Sequence, residues 1–191
     1  MGTTPDIALI DQIVRQRLDE ILPQKIEEKL AQMKAAKTPS MTIIATKGTL
    51  DWAYPPFILA STAAALGYDV QIFFTFYGLA LLKKDLGDIR ISPLANPAMP
   101  MPIPMPVMVQ MLPGMEAMAT MMMKQKMKAK GVASLDTLRE TCRECDVKFI
   151  ACQMTVDLFE FDTGDFIDGI EYGGAATFLE FAGDADITLY I

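Results

Sequence analysis

Three cysteines and the absence of histidine define the chemistry open to this chain. Cys152 lies in the run FIACQMTVDLF, just past a strand-like apolar stretch and just before a helical pattern. At such a junction the free backbone N–H groups of Met154 and Thr155 point toward the sulfur and, with the helix dipole, stabilise a thiolate. A persulfide is also an anion, so the position favours that form too. The alternative is a small buried residue at the sheet edge, because free cysteine is often buried.

Cys142 and Cys145 form a Cys-x-x-Cys pair in a different setting. A thioredoxin-type pair sits at a helix N-terminus, whereas this pair lies near the end of a predicted helix, where the dipole disfavours a thiolate. A zinc site would need a fourth ligand and finds no histidine. We therefore interpret both cysteines as structural or incidental. The alternative is that one serves as an auxiliary sulfur acceptor, if the loop folds over Cys152.

The turn Lys47-Gly48-Thr49 follows the first predicted strand and lies at the same edge of the fold as Cys152. It lacks the glycine spacing of a Walker loop or a dinucleotide fingerprint, so we interpret it as a strand-to-helix turn with Thr49 as cap. Lys47 could add positive potential near a persulfide; a solvated lysine is the alternative. Neither a metal nor a cofactor is expected. The predicted rim of the site consists of Lys47, Gly48, Thr49, Gln153, Met154 and Thr155.

Hydrophobic periodicity predicts the elements that position these residues. Residues 5–36 predict a helix that bends or splits at Pro23, and the helix over 50–66 is expected to become regular at Pro55. The sheet should be largely parallel with helices on both faces, a three-layer α/β fold with its crevice at the carboxyl ends of the strands. Strands are predicted at 41–46, 70–74, 147–151 and 187–191, and further helices at 78–84, 114–129, 134–144, 154–161 and 175–181.

The predicted organisation is an N-terminal helical arm and linker over residues 1–40 and an α/β domain over 41–191. The apolar stripe of the arm is too narrow for a fully buried helix, which favours pairing with another copy over packing on its own domain. An insertion at about 92–130 contains seven of the twelve prolines and eleven of the fifteen methionines. We interpret it as a flexible hydrophobic flap that covers Cys152 or packs in an oligomer interface. A core-packing excursion is one alternative; membrane insertion is another, disfavoured by the prolines.

The overall charge narrows the class of partner. A net charge of -7 argues against nucleic acid and against an anionic membrane surface, since both require clustered lysine and arginine. Three cysteines do not make a disulfide scaffold, and the N-terminus lacks the basic region and apolar core of a signal peptide. We therefore expect a cytoplasmic protein without membrane association.

The sequence resembles the DsrE/DsrF-like family, in particular its long, peroxiredoxin-labelled branch, over roughly residues 41–191. The peroxiredoxin label is not supported, because no Pro-x-x-x-Thr-x-x-Cys pattern leads to any cysteine. The resemblance is carried by TIIATKGTLDWAYPPFILASTAAALGYDVQIFFTFYGLALLKK, by the Met- and Pro-rich stretch and by KFIACQMTVDLF, with the Gly48-Thr49-Leu50-Asp51 turn, Phe73-Phe74-Thr75-Phe76 and Ala151-Cys152 in the expected order.

This resemblance implies a three-layer α/β domain that oligomerises and acts in sulfur trafficking, within sulfur-oxidising or thiouridine-forming pathways. The family's sulfur-accepting cysteine corresponds to Cys152, and the implied partners are TusA-type carriers and rhodanese-like donors. Neither Cys142 nor Cys145 is matched to a family motif.

Three functions are therefore compared. The first is a sulfurtransferase or sulfur carrier that holds sulfane sulfur as a persulfide on Cys152 and passes it to an acceptor thiol. The second is a non-catalytic oligomeric binding or assembly module that uses the Met-rich flap. The third is a flavin or nucleotide binder, for which the sequence has no phosphate-binding signature.

Overall fold

A five-stranded parallel sheet is the centre of the fold in the computed structural model, which describes residues 7–91 and 114–191. The chain falls into two compact units, Met1–Thr38 and Pro39–Ile191. The elements in chain order are α1 (Ile7–Ala36), β1 (Ser40–Ala45), α2 (Leu50–Ala65), β2 (Asp69–Phe74), the 3-10 helix η1 (Phe76–Leu82), α3 (Met115–Ala129), α4 (Leu135–Glu144), β3 (Lys148–Cys152), α5 (Gln153–Leu158), the 3-10 helix η2 (Thr163–Asp165), β4 (Glu171–Gly173), α6 (Ala175–Ala182) and β5 (Ile187–Tyr190).

The strands lie in the order β4-β3-β2-β1-β5, and every neighbouring pair is parallel. All five carboxyl ends therefore meet at one edge of the sheet. The register pairs Phe74 with Ala151, which places the next residues along, Thr75 and Cys152, side by side at that edge. Cys152 is paired on its other side with Gly173.

The two faces of the sheet are covered to different extents. On one face α2 and α4 cover the main core, where the Phe57, Phe74 and Phe149 rings lie 5.5–6.0 Å apart between centroids. On the other face a smaller cluster forms beneath α6 and includes Phe73 and Phe178. The predicted three-layer α/β fold with a largely parallel sheet is confirmed.

The rules for proline misplaced one helix start and one break. Helix α1 is not split at Pro23, although a bend there stays a prediction, and α2 begins at Leu50 rather than at Pro55. In α2 the first turn is held by the buried side chains of Leu50, Ala53 and Phe57, so that tertiary packing offsets the backbone hydrogen bonds that prolines cannot make.

The strand count was also wrong, because the sequence predicted four strands and none over residues 164–173. Strand β4 lies in that range and has only three residues, of which Glu171 and Tyr172 are exposed. Such a short exposed strand has no apolar run to reveal it.

The Met- and Pro-rich insertion falls partly outside the described residues, which omit 92–113. Its second part is helical, as predicted: α3 starts after Gly114, whose φ of 89° is in the left-handed region. The one buried side chain of α3, Thr120, accepts a hydrogen bond from the N–H of Ile91 and donates one to the carbonyl of Glu116. In the described parts of the chain, no helix has the length and apolar character needed to cross a membrane.

Helix α1 forms the first unit and spans 30 residues, about 45 Å. Its polar side chains form ion pairs within the helix, such as Arg15 with Asp11 at 2.9 Å. Its apolar side chains are between 45 % and 80 % exposed. This apolar stripe consists of Ile7, Leu9, Ile10, Ile13, Val14, Leu18, Ile21, Leu22, Ile26, Leu30 and Met33.

Candidate functional site

Cys152 occupies the junction that the sequence predicts. It is the last residue of β3 and the N-cap residue of α5, with extended backbone angles of φ -67° and ψ 107°. The chain turns here because the β-rich run KFIAC is followed by QMTVDL, which forms a helix with Thr155 and Val156 on its buried side. The first N–H groups of α5 have no partner within the helix and are free to donate to the sulfur.

Hydrogen bonds to the sulfur come from two strand ends. Burial is the largest influence on the pKa of Cys152 and raises it. Hydrogen bonds from the Thr155 hydroxyl and N–H, the Thr75 hydroxyl and the Met154 N–H together outweigh burial, so that the pKa lies below its ordinary value. These bonds favour the thiolate because each donates to the charged form.

The two threonine hydroxyls are also connected to each other. Thr75 Oγ1 and Thr155 Oγ1 are 3.1 Å apart, and the N–H of Phe76 donates to Thr155 Oγ1 at 3.4 Å. Thr155 is fully buried. Because its oxygen accepts from the backbone of the neighbouring strand end, its proton is left to donate to the sulfur or to Thr75.

The sulfur is buried as well as hydrogen-bonded. Cys152 is only 4 % exposed and belongs to the small cluster beneath α6, with Phe73, Ile150 and Phe178. The Phe73 and Phe178 ring centroids are 5.2 Å apart. The site therefore combines an anion-stabilising donor set with an apolar cover.

The structure does not bring the other two cysteines to Cys152. Cys142 is fully buried on α4, donates to the carbonyl of Phe57 at 3.4 Å, and has its pKa raised to about 12, chiefly by burial and further by the charge of Cys145. Cys145 is exposed just before β3, whereas Cys152 ends it. The length of this strand, about 16 Å, separates the two ends. All three thiols are free.

The predicted rim residues Lys47, Gly48 and Thr49 line two adjoining clefts at the carboxyl end of β1, of about 490 and 420 Å³. Cys152 lines neither cleft. Lys47 places its Nζ 3.0 Å from the centre of the Trp52 ring, a cation–π contact. Thr49 is the N-cap of α2, but its hydroxyl makes no capping bond, so the predicted side-chain cap is wrong.

The remaining predicted rim residues, Gln153, Met154 and Thr155, form the first turn of α5. The amide of Gln153 donates to Asp157 at 2.7 Å, and Met154 is 63 % exposed. Of these three residues, Met154 and Thr155 therefore contact the sulfur through hydrogen bonds, and Gln153 bonds to Asp157 instead. Among the described residues, no group of three or more metal-ligating side chains is placed to hold a metal ion.

Two residues of the site were missed by the sequence reasoning. Thr75 follows β2 directly, and the rule that parallel strands end at one edge would have placed it beside Cys152. Phe178 follows Cys152 by 26 positions on a helix that crosses the sheet, and no local pattern indicates that it covers the sulfur.

An exposed apolar surface adjoins the site, and we call it the aromatic ridge. It is formed by η1 and α5 with the residue that follows α5, and its side chains are between 40 % and 69 % exposed. Tyr77 and Phe159 stack at 5.9 Å with an interplanar angle of 18°. Contiguous exposed apolar surface of this kind is typical of interaction sites. The ridge consists of Phe76, Tyr77, Met154, Leu158 and Phe159.

Fold and geometry together define an α/β protein with a parallel sheet and, at the carboxyl edge of that sheet, a cysteine whose pKa is lowered. The chain belongs to the DsrE/DsrF/DrsH-like family, whose family model matches residues 37–190.

Curated relatives agree with this assignment. The sulfur carrier protein DsrE2 of Allochromatium vinosum is 66 % identical over 155 residues, which cover 79 % of this chain and 97 % of that protein. The uncharacterized protein YrkE of Bacillus subtilis is 32 % identical over 159 residues, covering 81 % and 98 % of the two chains. The crystal structure of the YchN protein from E. coli aligns with a TM-score of 0.45 at 12 % identity, covering 80 % of this chain and 99 % of that one.

Proposed function

We propose that this chain is a sulfur-relay protein, a sulfurtransferase or sulfur carrier that accepts sulfane sulfur as a persulfide on Cys152. The observation that carries the proposal is the donor set at the sulfur, in which two hydroxyls and two N–H groups lower the pKa of a buried thiol. A sulfur carrier among its relatives, DsrE2 at 66 % identity, supports the same assignment.

The proposed transfer balances without an external oxidant. The Cys152 thiolate attacks the outer sulfur of a donor persulfide, the donor S–S bond breaks, and the donor leaves as a thiolate that takes up a proton. The outer sulfur is now bound to Cys152 as a persulfide. A thiolate of the acceptor then attacks that outer sulfur, and Cys152 leaves as the thiolate. Hydrogen bonds from Thr75, Thr155 and Met154 stabilise the Cys152 thiolate, which is the nucleophile of the first exchange and the leaving group of the second.

The proposed partners are proteins rather than free small thiols: a rhodanese-like donor and a TusA-type sulfur carrier as acceptor. The aromatic ridge supports this, because it exposes apolar surface on the helix that follows Cys152. A net charge of -7 would favour partners with a basic surface. We place the relay in the cytoplasm, where thiols are kept reduced.

Loading with sulfur tests the proposal directly. After incubation of the full chain with inorganic polysulfide, intact-mass spectrometry should show additions in multiples of one sulfur atom, and peptide mapping should assign them to Cys152. Cys152→Ser should abolish the addition at that peptide. Cys142→Ser and Cys145→Ser are the matched controls and should leave it in place. Loading that persists elsewhere but never occurs at Cys152 in the wild type would refute the assignment.

A second candidate function is a non-catalytic assembly module, which the 4 % exposure of Cys152 favours. That function requires no reactivity at Cys152. Polysulfide loading separates the two, because a purely structural cysteine would remain unmodified in the folded protein.

We further propose that the chain forms a homo-oligomer through the apolar stripe of α1, with a second copy as its partner. Full burial of an aliphatic side chain corresponds to about 60–120 Å² of apolar area. With about half of that exposed, the stripe offers roughly 500 Å² per copy, or about 1,000 Å² in a pair, close to the lower end of stable interfaces at about 1,200 Å².

Sedimentation velocity on the full chain tests this pairing. Ile10→Asp with Ile21→Asp should lower the oligomeric state, whereas Gln16→Asp with Gln24→Asp, which add the same charge on exposed polar positions, should leave it unchanged. A wild type that sediments as a monomer would overturn the proposal.

A further inference from the structure

Cys152 is buried in a small apolar cluster to which helix α6 contributes Phe178. Phe178 of α6 packs with Cys152, Phe73 and Ile150 in one cluster, and its ring lies 5.2 Å from that of Phe73. With Cys152 only 4 % exposed, in-line attack on or by the sulfur needs more room than the closed site provides. Some part of the cover must therefore move before any sulfur exchange takes place.

Helix α6 is the part of the cover that is least firmly held. It has eight residues, and Phe178 is its only buried side chain. Its N-cap residue is Gly174, which has no side chain that could cap the helix, and Gly183 follows its last turn. Short helices with one anchoring side chain open locally at low cost, because few buried contacts oppose the motion. The neighbouring Leu179 is 62 % exposed and contributes no such anchor.

We propose that Phe178 is the residue that sets how fast reagents reach Cys152: its ring slows the approach of thiols, disulfides and polysulfide from solution without blocking it, and release of α6 opens the site. The proposal rests on the function proposed above, since it concerns access to the same sulfur. A protein partner that binds near α6 and displaces Phe178 would reach the sulfur faster than a freely diffusing thiol does. Selectivity would then come from a physical cover over the sulfur, rather than from residues that recognise a particular donor.

The experiment measures how fast Cys152 reacts in the folded chain. Rate constants for iodoacetamide are followed at the Cys152 peptide by mass spectrometry, in a Cys145→Ser background that removes the exposed thiol. The rate constants are compared on the alkaline plateau of the pH profile, where Cys152 is fully ionised in every variant and differences in pKa no longer affect the rate. Phe178→Ala should raise the plateau rate on the order of ten- to hundredfold, because it removes the one fully buried side chain of α6 and leaves only the partly buried Ala182 against the cluster. Leu179→Ala, one position along the same helix, should stay within about twofold of the wild type.

Phe178→Leu keeps the measurement decisive if Phe178→Ala folds poorly, because a smaller apolar anchor should give an intermediate rate. Hydrogen exchange should show faster exchange confined to α6 in the Phe178 variants. Equal plateau rates in wild type and both Phe178 variants, or an equal increase in Leu179→Ala, would overturn the proposal.

The two proposals fail separately. If polysulfide loads Cys152 while the Phe178 variants alkylate at the wild-type rate, the sulfur-relay function stands and the role of Phe178 is refuted. If the Phe178 variants alkylate faster while polysulfide never loads Cys152 in any of them, Phe178 is the cover of a thiol that does not carry sulfur.

Discussion

Removing one hydroxyl next to the sulfur provides the sharpest test of the site. Thr155→Val has nearly the same shape as the native residue, but it loses the hydroxyl that hydrogen-bonds Cys152. It also leaves the N–H of Phe76 and the hydroxyl of Thr75 without their partner in Thr155. Thr75→Val removes only one of the weaker bonds to the sulfur.

The size of the effect follows from the hydrogen-bond energies. A hydrogen bond to a charged group contributes about 1.5–3 kcal/mol, and one pKa unit corresponds to about 1.4 kcal/mol. Taking the lower value, Thr155→Val should raise the pKa of Cys152 by about one unit, and Thr75→Val by less. Below both pKa values the thiolate fraction then falls about tenfold. Higher intrinsic nucleophilicity offsets part of this, with a Brønsted coefficient of about 0.4–0.5, so that the reaction slows about threefold.

The assay is the pH dependence of iodoacetamide alkylation at Cys152, read from the midpoint of the profile in the Cys145→Ser background. Thr42→Val is the matched control, because Thr42 is also fully buried in the sheet and its hydroxyl has no hydrogen-bond partner among the described residues. Its profile should coincide with that of the wild type. The reasoning is refuted if Thr155→Val leaves the midpoint in place, or if Thr42→Val moves it equally far.

Two further predictions concern stability. Burial raises the pKa of Cys142 to about 12, so its neutral thiol stabilises the fold fully below pH about 8.5, and this contribution is lost as the pH rises toward 12. Between pH 8 and 10 the wild type should therefore lose about 2 kcal/mol more in urea unfolding than Cys142→Ala, and parallel losses would contradict this. Gly78→Ala should destabilise the chain by about 1–3 kcal/mol, since a Cβ there would overlap the carbonyl oxygen of Ala45. Gly174→Ala, where a Cβ meets nothing within 4 Å, should unfold at nearly the wild-type urea concentration; equal losses in both would show that the close approach is unimportant.

Local patterns were sufficient for the parts of the fold with strong periodicity. The apolar run ending at Cys152 and the helix over 134–144 were both predicted and are both present, the helix being capped by the Ser134 hydroxyl, which accepts from the N–H of Thr137 at 3.1 Å. The place of Phe178 in the cluster that buries Cys152 could not be predicted, because it depends on how α6 crosses the sheet between its two edge strands. The same limit applies to Pro55, where packing outweighs a local rule.

The position of the three thiols has a consequence for any cargo on Cys152. A disulfide requires Cα atoms about 4.4–6.8 Å apart, whereas β3 alone separates Cys145 from Cys152 by about 16 Å. The chain has no fourth cysteine whose thiol could attack a persulfide on Cys152. A sulfur atom bound to Cys152 could not be transferred to another thiol of the same chain, so that only a second molecule could remove it. The lifetime of its load would then be set by encounters with that molecule, and it should lengthen as the acceptor is diluted.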